Sequence, residues 1–111
     1  MEKRVLIVED DALVADQMAE LVEDQLNCVP LVTGSLQAAL TLTDVDFGFI
    51  DIELPDGSAF PLAGQLLKRG IPFVFVSASD PARVPAELAA APFLRKPVTP
   101  PTLLAAARAH L

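Results

Sequence analysis

The sequence has no tryptophan and no tyrosine, one cysteine and one histidine. Phe is the only ring residue of the Phe, Trp and Tyr group, at six positions, so a core must be built mostly from Leu, Val, Ile and Ala. A single cysteine, Cys28, excludes an intrachain disulfide and argues against a Cys-based metal site. It stands just before a strand and reads as a buried thiol. Basic residues are scarce, with 8 Lys and Arg against 15 Asp and Glu and a formal net charge of −7. Nucleic-acid binding needs a basic footprint. An anionic membrane surface asks for the same. The acid surplus suits a cation site, although it also serves solubility. No uncharged apolar stretch approaches the roughly 20 residues of a membrane span. The apolar run near the N-terminus is far too short for a secretory signal. The expected location is cytoplasmic, with no nucleic-acid or membrane partner.

What is present points to one domain over residues 1–111, 52% hydrophobic and 21% charged. Val5 to Val8 form a continuous apolar run that suits a strand buried on both faces. It ends abruptly in Glu9, Asp10 and Asp11. Val14, Met18, Leu21, Val22 and Leu26 then recur at helical spacing, and Asp11 can cap that helix. Val29 to Val32 is the second predicted strand, and Ser35 can cap a short helix through Leu40. Phe47 to Ile50 is the third strand, running into Asp51. The loop ELPDGS follows, with Pro55 and Gly57 as turn residues.

The next helix is predicted from a cap at Ser58, with Pro61 in its first turn. Leu62, Ala63, Leu66 and Leu67 form its apolar face. Lys68 and Arg69 suit its last turn, and Gly70 stops it. Pro72 to Val76 is the fourth strand, ending on Ser77. From Asp80 to Pro92, three prolines leave room for only about two helical turns. Phe93 to Arg95 is the fifth strand, ending at Lys96 and Pro97. Thr99 can cap a last helix, with Leu103, Leu104, Ala107 and Leu111 on its buried stripe. Five alternations of strand and helix predict an α/β, doubly wound parallel sheet. No repeat or linker occurs, and no output domain is expected after the last helix.

Ligands of open α/β sheets bind at the carboxyl ends of the strands. On that rim the sequence places Glu9, Asp10, Asp51, Ser77 and Lys96. Taken singly, each has a plain reading as a cap, a turn residue or a solvated charge. Jointly they put three carboxylates, a hydroxyl and an ammonium on one edge.

The segments VLIVEDD, FIDIELPDG, FVFVSAS and FLRKPV occur in order, each at a strand end. Together they resemble the receiver domains of two-component response regulators, across essentially the whole chain. The resemblance implies a five-stranded flavodoxin-like receiver fold of strand order 2-1-3-4-5. It implies Asp51 as phosphoacceptor, with Mg²⁺ held by Asp10 directly, by Glu9 through water, by Asp51 and by the backbone carbonyl of Glu53. Lys96 would neutralise the transferred group and Ser77 would donate to it. Ser77 and Phe93 would be the switch pair, with Phe93 lacking the hydroxyl of the commoner Tyr; a plain core role for Phe93 is the alternative. The implied donor is a histidine kinase or histidine phosphotransfer protein, and the implied recipient an unknown downstream protein. The chain would be a phosphoacceptor that assists its own phosphorylation and dephosphorylation, not an enzyme.

The sequence departs from the family's pattern in three places. Leu54 stands where Met is common, and Glu53 adds a carboxylate two residues after Asp51. The Ser77–Lys96 interval is short and proline-rich, predicting an irregular or mobile fourth helix. With GIPFVF before it, this looks like a subgroup of single-domain receivers from alphaproteobacteria, although Ser77, Ala78 and Ser79 replace that subgroup's Thr-Gly-Tyr. His110 sits in the last turn and reads as a frayed residue rather than a phosphodonor. Rival readings are a degenerate, unphosphorylated scaffold, a flavin or nucleotide binder, and an aspartate-nucleophile phosphatase. Glu9, Asp10 and Asp11 in the first loop would repel a cofactor phosphate. A phosphatase would need a cap domain that 111 residues do not provide.

Overall fold

A computed structural model describes residues 2–42 and 44–111. Its frame is the strand β1, Arg4–Val8, whose residues Val5 to Val8 are all buried. β2 (Val29–Thr33) pairs on one side and β3 (Phe47–Ile50) on the other, both parallel. A strand enclosed on both faces has no reason to alternate apolar with polar, hence the unbroken run. Its side chains still alternate in direction. Leu6 and Val8 join one apolar cluster, Val5 and Ile7 the other.

A two-residue antiparallel hairpin, β4 (Glu53–Leu54) and β5 (Gly57–Ser58), occupies what the sequence reads as a loop. The predicted fourth and fifth strands are therefore β6 (Phe73–Ser77) and β7 (Phe93–Arg95). The sheet order is β2-β1-β3-β6-β7, all parallel, the order expected from the resemblance. Helices α1 (Ala12–Leu26) and α4 (Pro100–Arg108) cover one face through Met18, Val22, Leu103 and Ala107. Helices α2 (Leu36–Ala39) and α3 (Phe60–Lys68) cover the other through Leu36, Leu62 and Leu66.

The helix ends follow local chemistry. The Asp11 side chain accepts from the Leu13 and Val14 N–H groups, as expected of the α1 cap. Gly70, at φ 70°, stops α3 where predicted. There the Ile71 N–H donates to Leu66 O at 3.0 Å and the Gly70 N–H to Leu67 O at 3.1 Å. These two bonds satisfy carbonyls that the helix end would otherwise strand. Cys28 is buried, as read.

Three expectations are corrected. The α3 cap is Ala59, not Ser58; Pro61 in the first turn has no N–H, and the Ser58 hydroxyl accepts from Phe60 N–H instead. Thr99 does occupy the α4 cap position but makes no cap bond. Pro100 and Pro101 supply no N–H, and its hydroxyl pairs with that of Thr102 at 3.0 Å. Leu67 is 54% exposed. It lies about 140° around the helix from Leu62, at the edge of the stripe. The irregular fourth helix expected of the proline-rich interval is borne out, as no α-helix forms between β6 and β7. Two single 3₁₀ turns, Pro81–Arg83 and Ala86–Leu88, replace it, because the prolines interrupt the backbone ladder before one α-turn can propagate.

Candidate functional site

The strand ends meet on one rim, and backbone bonds pin each of them. Glu9 N–H donates to Thr33 O at 3.0 Å, and Asp51 N–H donates to Val8 O at 2.9 Å. Lys96 N–H donates to Ser77 O at 3.0 Å. Each bond extends a parallel ladder by one step, so these residues inherit the rigidity of the sheet. The β2–α2 loop presses against the β1 end at Gly34. A Cβ there would stand 3.1 Å from Asp10 Cα and 3.3 Å from Glu9 O, so a side chain would crowd the Glu9–Asp10 backbone.

Glu9, Asp51 and Ser77 are buried, whereas Asp10 is exposed. Carboxylate oxygens of Glu9, Asp10 and Asp51 all lie within 4.8 Å of one another. The Lys96 ammonium donates to Glu9 Oε1 and to Asp51 Oδ2, the latter at 2.9 Å. Glu9 Oε2 accepts the Asp11 N–H at 3.1 Å. Burial raises the Glu9 pKa above the ordinary carboxylate value, against the lowering effects of Lys96 and the Asp11 N–H; nearby Asp51 adds a smaller upward push. For Lys96, burial acts downward, but its bonds and charge pairing with Glu9 and Asp51 outweigh it, and its pKa is raised.

The donor set fits a hard divalent cation. All its ligating atoms are oxygen, as such ions require. Three carboxylates around one ammonium leave two negative charges uncompensated. Both Glu9 oxygens already hold hydrogen-bond donors, so Glu9 suits a water-mediated contact. Among the described residues, no hydrogen bond engages Asp51 Oδ1, and Asp10 is open to solvent.

Ser77 also faces the rim, its hydroxyl accepting Ser79 N–H at 3.2 Å. Phe93 is half-buried and tilted against Phe75 at 6.1 Å between ring centroids. The Glu53 side chain stands apart from the acidic cluster. It forms an ion pair with Arg83, on the first 3₁₀ turn. His110 lies on the far side of the molecule's chemistry, stacked on the buried Phe47 at 5.6 Å. The peptide bond between Lys96 and Pro97 is cis.

The family model for the response regulator receiver domain matches residues 5–108. The chain belongs to that family. As a receiver, it carries an acidic pocket of the kind at which this family generally uses Mg²⁺. A relative, the uncharacterized transcriptional regulatory protein YbdJ of Bacillus subtilis (strain 168), is 28% identical over 79 residues. That match covers 69% of this chain and 35% of YbdJ, so it spans about a third of the relative's length. Among solved structures, the non-phosphorylated HemR receiver domain of Leptospira biflexa is 29% identical with a TM-score of 0.83. It matches over 97% of this chain and 93% of that one. A CheY-like receiver domain from Methylobacillus flagellatus is also 29% identical, covering 100% of both chains with a TM-score of 0.80.

Sequence reasoning overlooked two side chains next to this receiver's site. Asp56, in the turn between β4 and β5, accepts from Leu36 N–H at 2.8 Å, Gln37 N–H at 3.0 Å and Ser35 Oγ at 3.1 Å. It thereby ties the loop after Asp51 to the start of α2. Arg83 is the other. A proline-flanked charge carries no periodic signal, and only the fold brings it to Glu53.

Proposed function

We propose that this receiver accepts a phosphoryl group on Asp51 from a phosphohistidine donor and passes the signal on by protein contact. The observation that carries the reading is the Lys96 ammonium bridging Glu9 and Asp51 within an all-oxygen cluster on the strand rim. An Asp51 carboxylate oxygen attacks phosphorus. The new O–P bond forms as the P–N bond breaks, and its electron pair stays on the leaving imidazole. Phosphoryl transfer depends on positioning and charge neutralisation more than on covalent assistance. Lys96, bonded to Asp51 and to Glu9, neutralises the incoming oxygens as a point charge. The Ser77 hydroxyl, free to rotate its proton away from Ser79, donates to one of them.

Asp10 and Asp51 would hold Mg²⁺, with Glu9 acting through water and the Glu53 backbone carbonyl completing the protein ligands. The ion would supply charge compensation for the transferred group. A cleft of about 860 Å³ between α1 and the β7–α4 connection supports donor docking next to the site. Lys96, Pro97 and Val98 line it together with Val14, Met18 and Leu21. The output face would comprise the 3₁₀ segment, β7 and α4. In this role the chain is a phosphoacceptor that assists its own phosphorylation and dephosphorylation rather than an enzyme turning over a separate substrate. Among the described residues no helix is long and apolar enough to cross a membrane.

Intact mass after incubation with acetyl phosphate tests this directly. One phosphoryl adduct is expected, dependent on Mg²⁺ and absent in Asp51→Asn. Absence of both the adduct and a beryllofluoride complex would leave the unphosphorylated scaffold as the better reading.

A further inference from the structure

One ion pair, Arg83 with Glu53, links the segment after Ser77 to the loop after Asp51. Glu53 lies within about 7 Å of Asp51 along the backbone, two residues on. Its partner Arg83 sits on the 3₁₀ segment that leaves the β6 end at Ser77. Among the described residues, this pair is the one side-chain polar link from residues 80–92 to the rest of the chain. The segment is otherwise held by buried Leu88, by Val84 and Ala91 packed against the core, and by Phe75 N–H donating to Pro92 O. The side chains of Arg83 and Glu53 are 51% and 65% exposed. An exposed, solvent-screened pair of this kind contributes little, so a better anion can displace the carboxylate.

A phosphoryl group on Asp51 is such an anion. It carries about −1.5 to −2 charges and three strong acceptor oxygens. Guanidinium binds phosphate through two parallel N–H bonds, which the compact Lys96 ammonium does not offer. Phe93 has no hydroxyl through which to report the event.

We propose that Arg83 is a switch residue that exchanges partners. It pairs with Glu53 before phosphorylation and with a phosphoryl oxygen on Asp51 afterwards, drawing the 3₁₀ segment towards the site. This rests on the reading of Asp51 as phosphoacceptor. The driving force is the difference in Arg83 affinity for the two anions, and without such a difference no shift would follow. The segment that stands in place of a fourth helix thus carries its own sensor for the phosphoryl group.

The test uses Mg²⁺ with beryllofluoride as the phosphoryl stand-in and hydrogen exchange as the readout. Fluorine NMR confirms saturation of each variant. In the wild type, binding should slow amide exchange in the 82–91 segment about fivefold or more, as an opening equilibrium is biased shut. Arg83→Gln should lose that slowing at full occupancy, and Arg83→Lys should retain part of it. Glu53→Gln should speed exchange in the unbound state yet keep the slowing on binding, a split that a purely structural salt bridge would not produce. Equal slowing in Arg83→Gln and wild type would overturn the proposal, as would no slowing in a saturated wild type. Failure of the wild type to take beryllofluoride at all would instead bring down the phosphoacceptor reading, and the switch with it.

Discussion

The two halves of the rim are built from different material. On the β1–β3 side, Glu9 and Asp51 extend strands whose apolar side chains are buried on both faces, and their N–H groups continue the parallel ladders. On the β6–β7 side, the connection from residue 78 to 92 contains two isolated 3₁₀ turns and one fully buried side chain, Leu88. The proposed nucleophile and the carboxylates around it sit on the half that cannot yield without breaking the sheet. The proposed response sits on the half with few buried contacts, and low local stability is what a switching element needs.

Paired core truncations put this comparison at most risk. Leu66 and Leu88 are both buried leucines in the same apolar cluster. Leu66→Ala should cost about 2–5 kcal/mol of unfolding free energy in urea titrations. Leu88→Ala should cost only about 1 kcal/mol, because its thinly held segment can collapse or open locally. Equal costs would show the segment to be as integral as α3.

Hydrogen exchange sharpens the same contrast at the next level. Amides of β1 and β3 should exchange only on global unfolding, and those of residues 82–91 at least about 100-fold faster. Comparable protection in both regions would mean that the 3₁₀ segment is rigid.

The smallest effect concerns Asp56, which ties the β4–β5 turn to α2. Hydrogen bonds from Gln37 and Leu36 hold its pKa below the ordinary value of 3.8. A depressed folded-state pKa means that this cap stabilises fully above the unfolded value and less as pH falls through the folded one. Asp56→Ala should therefore be less stable than wild type at neutral pH, with the gap closing in acid below the usual carboxylate range. A gap independent of pH down to complete protonation would show that the charged form is not what the cap uses.

Much of this is legible in the sequence alone. The unbroken runs of β1, β3 and β6 announce strands covered on both faces, and Gly70 marks its helix end. The four strand-end segments name the site residues, which the structure brings to one rim. Leu67 was misread because periodicity defines a stripe without saying how wide the neighbouring sheet makes it. Ser58 and Thr99 were misread because nearby prolines remove the N–H groups that a cap would serve. The hairpin after Asp51 is two residues per strand, too short for any alternation to register.

The order of residues by itself determined the parallel sheet, since five strands joined by crossover connections have few right-handed ways to close. With that order came the gathering of Glu9, Asp10, Asp51, Ser77 and Lys96. Only the tertiary structure decided which of these charges touch. Lys96 meets Glu9 across 87 positions and Asp51 across 45. Asp56 meets Leu36 across 20, and Arg83 meets Glu53 across 30. Pairings at such separations leave no trace in a local pattern, because they depend on where the sheet and its connections place two groups that share no helix or strand.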